Sequence, residues 1–229
     1  FDLHVISAEE PSFIGINDDI YASQRVSSIL QASFAFDAFI NSKPQKGMTI
    51  FYGYDHENDM NESLTGFDSN FLKETLNRIH ISNSFFNKSL LLGGVRIPSA
   101  YAQPGRGVCY RYGNIGYCQS RSKDLDKFLS ELSKNGIASH KCSLTYDIRC
   151  GIQELRNRLN LSALYIGIPV YSLHSIRESA LLSDITNYYA SIQTFFKLND
   201  NSDTWFWLIE TKNKEQASLQ LEIKEHFLY

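Results

Sequence analysis

Four cysteine side chains are the residues whose type and spacing point most directly to chemistry, because neighbouring thiols oxidise to disulfides. They form two close pairs in the sequence, Cys109 with Cys118 and Cys142 with Cys150. The first pair flanks a tyrosine-rich stretch around a Gly-Asn turn, a layout typical of a β-hairpin whose ends lie within bridging distance. We therefore predict two local disulfides, and four cysteines leave two other sets of pairings open.

The paired cysteines also bear on the cellular compartment. Disulfides persist in oxidising surroundings, so the pattern predicts an extracytoplasmic protein, whether periplasmic, secreted or at a cell surface. No segment has the basic-then-apolar layout of a signal peptide, so this location is inferred from the cysteines alone. The alternative is a set of four unrelated buried thiols in a cytosolic protein.

A cationic, aromatic segment surrounds the first cysteine pair. Residues 75–123 contain seven basic residues and no acidic one. The planar guanidinium of arginine and the amphipathic ring of tyrosine suit recognition of another protein or of an anionic surface such as a glycan or a lipid headgroup. An isoelectric point near 6.1 disfavours nucleic acid as the partner. The predicted binding residues are Tyr101, Arg106, Tyr110, Arg111, Tyr112, Tyr117 and Arg121.

A plainer interpretation of the same segment is electrostatic. The first 74 residues carry an excess of acidic residues, so the cationic segment can pack beside them and neutralise them. Tyrosine is also a good strand residue whether or not it binds anything.

A second candidate chemistry lies nearer the carboxyl end, in the spacing Asp203-x6-Glu210-x-Lys212. It resembles the metal-binding core of the PD-(D/E)xK nucleases, in which carboxylates hold Mg²⁺ and the lysine steadies the attacking water. The resemblance covers ten residues, and an alternating strand pattern from Leu219 to Ile223 stands where that fold places a helix. A structural hairpin is therefore favoured, and the alternative function is a secreted hydrolase or a metal-dependent nuclease that uses these three residues.

Other arrangements of reactive side chains are weaker. The acidic loop at residues 55–63 lacks the glycine and the final glutamate of a calcium loop. Cys109 with His140 and Asp147 would suit nucleophilic catalysis, but a disulfide would remove the thiol. The six histidines form no pair with zinc-ligand spacing. The sequence thus predicts no catalytic residue, metal or cofactor, and we expect a non-enzymatic binding or assembly protein.

Hydrophobic periodicity predicts the elements that position these residues. Residues 17–41 have the pattern of a helix, and residues 48–54 that of a buried strand. Ser175-x-x-Glu178 has the form of a capping box ahead of a helix that ends near Leu198. A further amphipathic helix begins after Ser122 and ends at Gly136.

The remaining pattern sets the fold class. Residues 204–212 and 218–225 alternate apolar with polar residues and predict a C-terminal antiparallel hairpin. With the cysteine-flanked hairpin and four or five helices, this predicts a single mixed α+β domain over residues 1–229. The longest apolar run, residues 164–171, is far shorter than the roughly 20 residues that span a membrane, so no transmembrane segment is expected.

Overall fold

Four α-helices and eleven strands make up the described part of the chain. The computed structural model describes residues 7–42, 48–54, 69–79, 89–94, 97–112, 123–142, 162–198 and 204–210. The helices are α1 (Gln31–Asn41), α2 (Phe71–Arg78), α3 (Lys123–Lys134) and α4 (Leu182–Lys197), with a π-helix at Val26–Leu30 and a 3₁₀ turn at Ser99–Tyr101. The strands are β1 (Ser12–Ile14), β2 (Ile20–Ser23), β3 (Met48–Tyr54), β4 (Ser89–Gly94), β5 (Ile97–Pro98), β6 (Val108–Tyr112), β7 (Ser139–Lys141), β8 (Ser162–Gly167), β9 (Pro169–Val170), β10 (Glu178–Leu181) and β11 (Thr204–Glu210).

A six-stranded sheet lies at the centre, in the order β3-β11-β4-β8-β6-β7. Strands β3, β11, β4 and β8 are parallel to one another. Strand β6 runs antiparallel to β8, and β7 is parallel to β6. Because neighbouring parallel strands point the same way, β3, β11, β4 and β8 all end at one edge of the sheet.

The inner strands are buried on both faces. Leu90 and Leu92 of β4 belong to the main hydrophobic core together with helices α1, α3 and α4. Leu91 lies between them on the opposite face and is also fully buried. Strand β8 behaves in the same way, with Leu164 in the main core and Tyr165 buried on the other side. Apolar runs without polar alternation are typical of parallel strands that are covered on both faces.

Two smaller sheets flank the central one. Strands β1 and β2 form an antiparallel hairpin, and β10 adds to the free edge of β2. Strands β5 and β9 follow β4 and β8 in the sequence and pair in parallel with each other. The segment after β9 leads into β10 and so connects the two-stranded sheet to the three-stranded one.

The mixed α+β prediction is confirmed. Helix α3 buries Leu125, Phe128 and Leu132, and Gly136 ends it with a φ of 68°. Residues 204–210 form a strand as predicted, and it lies inside the central sheet parallel to both of its neighbours. The second strand of the predicted C-terminal hairpin, residues 218–225, lies outside the described residues, and the extent of the domain stays a prediction.

Two predicted helices begin later than the sequence indicated. Residues 17–41 contain β2, the π-helix and α1, because β2 pairs with β1 and β10 and Arg25 then adopts a left-handed backbone with a φ of 57°. The predicted capping box does not cap α4, since Glu178 starts β10 and α4 begins at Leu182. Both errors arise from short strands whose partners are distant in the sequence.

No helix among the described residues is long and apolar enough to cross a membrane.

The backbone of Ala138 passes close to Gly107, which predicts a steric effect of adding a side chain there. Gly107 and Gly136 have φ values of 79° and 68°, so both favour glycine. A β-carbon at Gly107 would lie 1.9 Å from the carbonyl oxygen of Ala138, whereas nothing lies within 4 Å at Gly136. We expect Gly107→Ala to lower the free energy of unfolding by about 3 kcal/mol or more and Gly136→Ala by only about 1 kcal/mol. Urea unfolding of both variants measures this, and equal losses would contradict the steric argument.

Candidate functional site

Most of the strained non-glycine residues that the structure describes lie in two segments connected by one buried side chain. Asp18, Arg25, Ser172 and His174 are the described non-glycine residues with positive φ, at 53°, 57°, 53° and 68°. Such conformations cost about 1–3 kcal/mol each and are found most often at functional sites. Asp18 lies in the turn between β1 and β2. The other three lie in two segments that one buried side chain, Glu178, holds together.

The carboxylate of Glu178 joins these two strained segments. Glu178 is only 4% exposed. One oxygen, Oε2, accepts a hydrogen bond from the backbone N–H of Ser27 at 2.7 Å. The other, Oε1, accepts from the Ser27 hydroxyl at 2.9 Å and from the backbone N–H of His174 at 3.0 Å. Hydrogen bonds to a carboxylate are about twice as strong as those between neutral groups, so this contact offsets part of the strain.

The segment on the β2 side is a π-helix, which is uncommon and frequently marks functional sites. It spans Val26–Leu30, and all five of its residues are buried. The carbonyl of Arg25 accepts from the N–H groups of Ser28 at 3.2 Å and Ile29 at 3.0 Å. The N–H of Ser27 points instead to Glu178, so the glutamate takes part in starting this helix.

The segment on the other side is the turn of residues 171–177, which lies beyond the carboxyl end of β8. It follows β9 and leads into β10. In open sheets with parallel strands, ligands bind at the carboxyl edge. The sequence directly after β3, which ends at the same edge, reads Asp55-His56-Glu57; these residues lie outside the described part of the chain. Among the described residues, this edge therefore has a strained turn at the place where such folds bind ligands.

The exposed imidazole of His174 is the side chain of this turn best suited to chemistry. Its backbone is fixed by Glu178, while the residue itself is open to solvent. An imidazole accepts or donates a proton near neutral pH and is also a common metal ligand. Ser27 is 4% exposed and donates its hydroxyl to Glu178, so it is held away from a role as a nucleophile.

A second buried carboxylate, Asp184, holds the loop of residues 103–107. It accepts from the backbone N–H groups of Gly105 at 2.8 Å and Gly107 at 2.7 Å. Burial raises the pKa of Asp184, and these two hydrogen bonds partly oppose the rise. His140 accepts from the N–H of Gln103 at 3.0 Å, so both side chains serve to fix the loop.

The predicted binding residues are spread over different environments. Arg106 is exposed on the loop that Asp184 holds. Tyr110 packs against the main core, whereas the guanidinium of Arg111 lies 5.5 Å from the ring centre of Tyr165. Tyr101 packs against the small cluster of Ile97, Cys109 and Cys142.

Strand geometry explains this separation, because successive residues of β6 point to opposite faces. The structure therefore does not bring Tyr110 and Arg111 to one surface. Tyr112 is the last residue of β6, and Tyr117 and Arg121 lie outside the described residues. As a binding surface the seven residues stay a prediction.

The predicted disulfides are wrong for the cysteines that the structure describes. Cys109 and Cys142 are both buried, and neither is joined in a disulfide. Cys109 lies opposite His140 on one side and Gly167 on the other, so both neighbouring positions in the sheet are filled. Their predicted partners, Cys118 and Cys150, lie outside the described residues. The extracytoplasmic location was inferred from these disulfides and loses that support.

The residues of the alternative prediction are not assembled into a site by the described structure. Glu210 is the last residue of β11, between β3 and β4, and Asp203 and Lys212 lie outside the described residues. Cys109 and His140 are neighbours across the sheet, but a hydrogen bond with the Cys142 side chain and burial both raise the pKa of the Cys109 thiol. A raised pKa disfavours the thiolate that nucleophilic catalysis requires.

Comparison with known proteins gives a consistent result at low sequence identity. No protein-family model matches the chain. A probable M18 family aminopeptidase 2 from Clostridium novyi is 24% identical over 218 residues, which cover 85% of this chain and 50% of the relative. Another from Borreliella burgdorferi is 23% identical over 220 residues, covering 86% of this chain and 52% of the relative. The chain spans about half the length of the curated relatives it matches.

Solved structures agree with these relatives. An M18 family aminopeptidase from Thermotoga maritima superposes with a TM-score of 0.68 at 15% identity, covering 84% of this chain and 49% of that one. Ape4 in its complex with Nbr1 gives 0.66 at 20% identity, covering 83% and 42%. The mApe1 dodecamer of S. cerevisiae gives 0.64 at 15% identity, covering 83% and 49%. This chain shares the fold of these aminopeptidases.

The predicted non-enzymatic binding or assembly protein is therefore wrong, whereas its extracytoplasmic location stays a prediction. The relatives and structural neighbours named above are aminopeptidases, which are hydrolases. The alternative hydrolase prediction is closer, but these relatives and neighbours are peptidases and not nucleases. No disulfide is found among the described cysteines, and the comparisons give no support to a secreted protein with a cationic patch.

Aminopeptidases are among the enzymes in which a pair of metal ions clamps the reacting oxygens. The described residues contain no group of three or more histidine, cysteine, aspartate or glutamate side chains that could hold a metal ion. Glu178, the buried carboxylate nearest His174 in the sequence, is already bonded to Ser27 and to the backbone of His174. The described residues alone thus do not fit a metal centre, and no step of chemistry is derived through one.

Sequence reasoning missed the three residues of this site, Ser27, His174 and Glu178. A local signal was present, because Ser175-x-x-Glu178 indicated that Glu178 bonds to a nearby backbone N–H. The bonded group is the N–H of His174 in a turn, not the end of a helix. The contact with Ser27 crosses 151 residues and leaves no local signal.

Thiol chemistry tests the corrected state of the cysteines. We expect Cys109 and Cys142 to resist iodoacetamide in the folded protein, because both are buried and the pKa of Cys109 is raised. In denaturant without any reductant, both thiols should alkylate fully. Peptide mapping by mass spectrometry identifies the modified residues. A requirement for reductant before either residue alkylates would restore the disulfide prediction.

Proposed function

We propose that this chain is an aminopeptidase-type hydrolase domain that acts on the free amino ends of peptides. The observation that carries the proposal is the fold match to the Thermotoga maritima aminopeptidase, at a TM-score of 0.68 over 84% of the chain. Relatives named as probable M18 aminopeptidases align over a similar share of the chain. Since the match covers about half of each of these proteins, the activity and the substrate are parts of the proposal.

The proposed site lies at the carboxyl edge of the central sheet. Hydrolysis of a peptide bond needs a group that takes a proton from water and returns one to the leaving amine. The exposed imidazole of His174 suits this role, and its strained backbone is fixed by Glu178. The sequence Asp55-His56-Glu57 after β3 supplies further candidates for the same chemistry.

Protein partners belong to the same proposal in a general form. The solved mApe1 is a dodecamer, and the solved Ape4 is in complex with Nbr1. These assemblies make a protein partner, either another protein or further copies of this chain, the expected kind of contact. The proposal assigns no surface of this chain to such a partner.

The proposed activity predicts cleavage that depends on a free amino end. We expect the purified protein to release coumarin from members of a panel of aminoacyl-coumarin substrates, and to leave the N-acetylated forms intact. The panel should be run both with a chelator and with added divalent cations, since aminopeptidases commonly use metal pairs. Failure to cleave any free-amino substrate under both conditions, by protein that is folded by circular dichroism, would contradict the proposal.

A second prediction tests the role of His174. Asparagine tolerates a left-handed backbone, so His174→Asn removes the imidazole without adding backbone strain. We expect kcat/KM to fall by about 100-fold or more, the usual effect of losing a proton-transfer group. Ser172→Asn is the matched control, because Ser172 is exposed in the same turn with a φ of 53°. If both variants keep wild-type kcat/KM, the imidazole has no part in hydrolysis.

A further inference from the structure

The buried carboxylate of Glu178 is unusual among the buried carboxylates described because it connects segments that are both strained. Asp184 also accepts from two backbone N–H groups, but it holds a glycine-containing loop. Glu178 binds Ser27, two residues after the left-handed Arg25, and His174, which is itself left-handed. Backbone N–H groups beside left-handed residues form concavities that attract anions, and here the protein's own carboxylate occupies such a position.

We propose that Glu178 is the positioning residue of this site, setting the geometry of the His174 turn against the start of the π-helix. The inference rests on the proposed function in one respect, namely that the His174 imidazole belongs to the hydrolytic site. Glu178 is only 4% exposed, so it acts through His174 and does not touch substrate.

Strand pairing and hydrogen bonds hold the backbone around Glu178 on both sides. Its backbone pairs with Ser23 of β2, which places the start of β10 next to the β2 end. The adjacent Arg177 reaches the other way, donating to the carboxylate of Glu9 at 3.0 Å and to the hydroxyl of Ser12. Since these contacts hold β10 on both sides, we expect a change in the Glu178 carboxylate to alter the turn more than the position of β10.

The three hydrogen bonds of Glu178 can be altered separately. Ser27→Ala removes the hydroxyl bond and leaves both backbone N–H bonds in place. Glu178→Gln retains an acceptor for one pair of donors but turns an amide NH₂ toward another N–H group. Ser28→Ala is the matched control, because Ser28 is the next residue of the same π-helix, is 6% exposed, and its hydroxyl makes no bond to Glu178.

The test has two readouts. Proton–carbon NMR reports the His174 ring directly, and His174→Asn identifies its signal among the six histidines. We expect that signal to shift or split in Glu178→Gln and, by a smaller amount, in Ser27→Ala, and to stay in place in Ser28→Ala. Peptide hydrolysis should show kcat falling about 10- to 100-fold in Glu178→Gln with little change in KM, as expected when a reacting group is misplaced.

The outcomes separate the two proposals. An unchanged His174 signal in both Glu178→Gln and Ser27→Ala overturns the positioning role, whatever the activity. A wild-type protein with no peptide hydrolysis overturns the proposed function, while the NMR comparison still decides whether Glu178 sets the turn. If Glu178→Gln fails to fold, Ser27→Ala carries the test, because it retains both backbone bonds. If Glu178→Gln lost no more activity than Ser28→Ala, that result would also count against the positioning role.

Discussion

The parallel pairing of β3, β11, β4 and β8 is the constraint on which the rest of the structure depends. Parallel neighbours cannot be joined by a tight turn, so the chain must cross over between them. Helices α1, α3 and α4 pack together over the main core on one face, and the strands beneath them are apolar on both faces. The same pairing brings four strand ends to one edge, which is where the segments beyond β4 and β8 pair again as β5 and β9.

The site at this edge is built from a balance between burial and hydrogen bonding. Taking a carboxyl group out of water is costly unless donors replace the lost water. Glu178 has three such donors, and two of them belong to backbone that is distorted from its ordinary conformation or lies beside such backbone. Each partner therefore compensates for a cost of the other. The left-handed His174 and Ser27, two residues after the left-handed Arg25, donate N–H groups to a buried anion, and these bonds stabilise the strained conformation.

Local signals predicted the parts of the fold that local physics determines. The helix ended by Gly136 combines apolar spacing with a glycine that adopts a φ of 68°, and both features are readable from a dozen residues. The strands at Met48–Tyr54 and Thr204–Glu210 were readable from composition and alternation. Residues 20–23 were not, because they are strand only through pairing with β1 and β10, and the latter lies more than 150 residues away.

The candidate site could not be predicted from the sequence for the same reason. The tyrosine–arginine segment illustrates this, because its composition predicted a single binding surface. Spacing along one strand determines which face a residue occupies, and it places Tyr110 in the core and Arg111 beside Tyr165 on opposite sides. It does not determine which residue of another segment lies opposite. Cys109 faces His140 and Gly167, and Ser27 meets Glu178, through pairings that only the folded chain establishes. A site made of such contacts is recognised in the folded structure by its strained backbone and buried hydrogen bonds. Composition alone cannot predict these contacts, and here it predicted a surface patch.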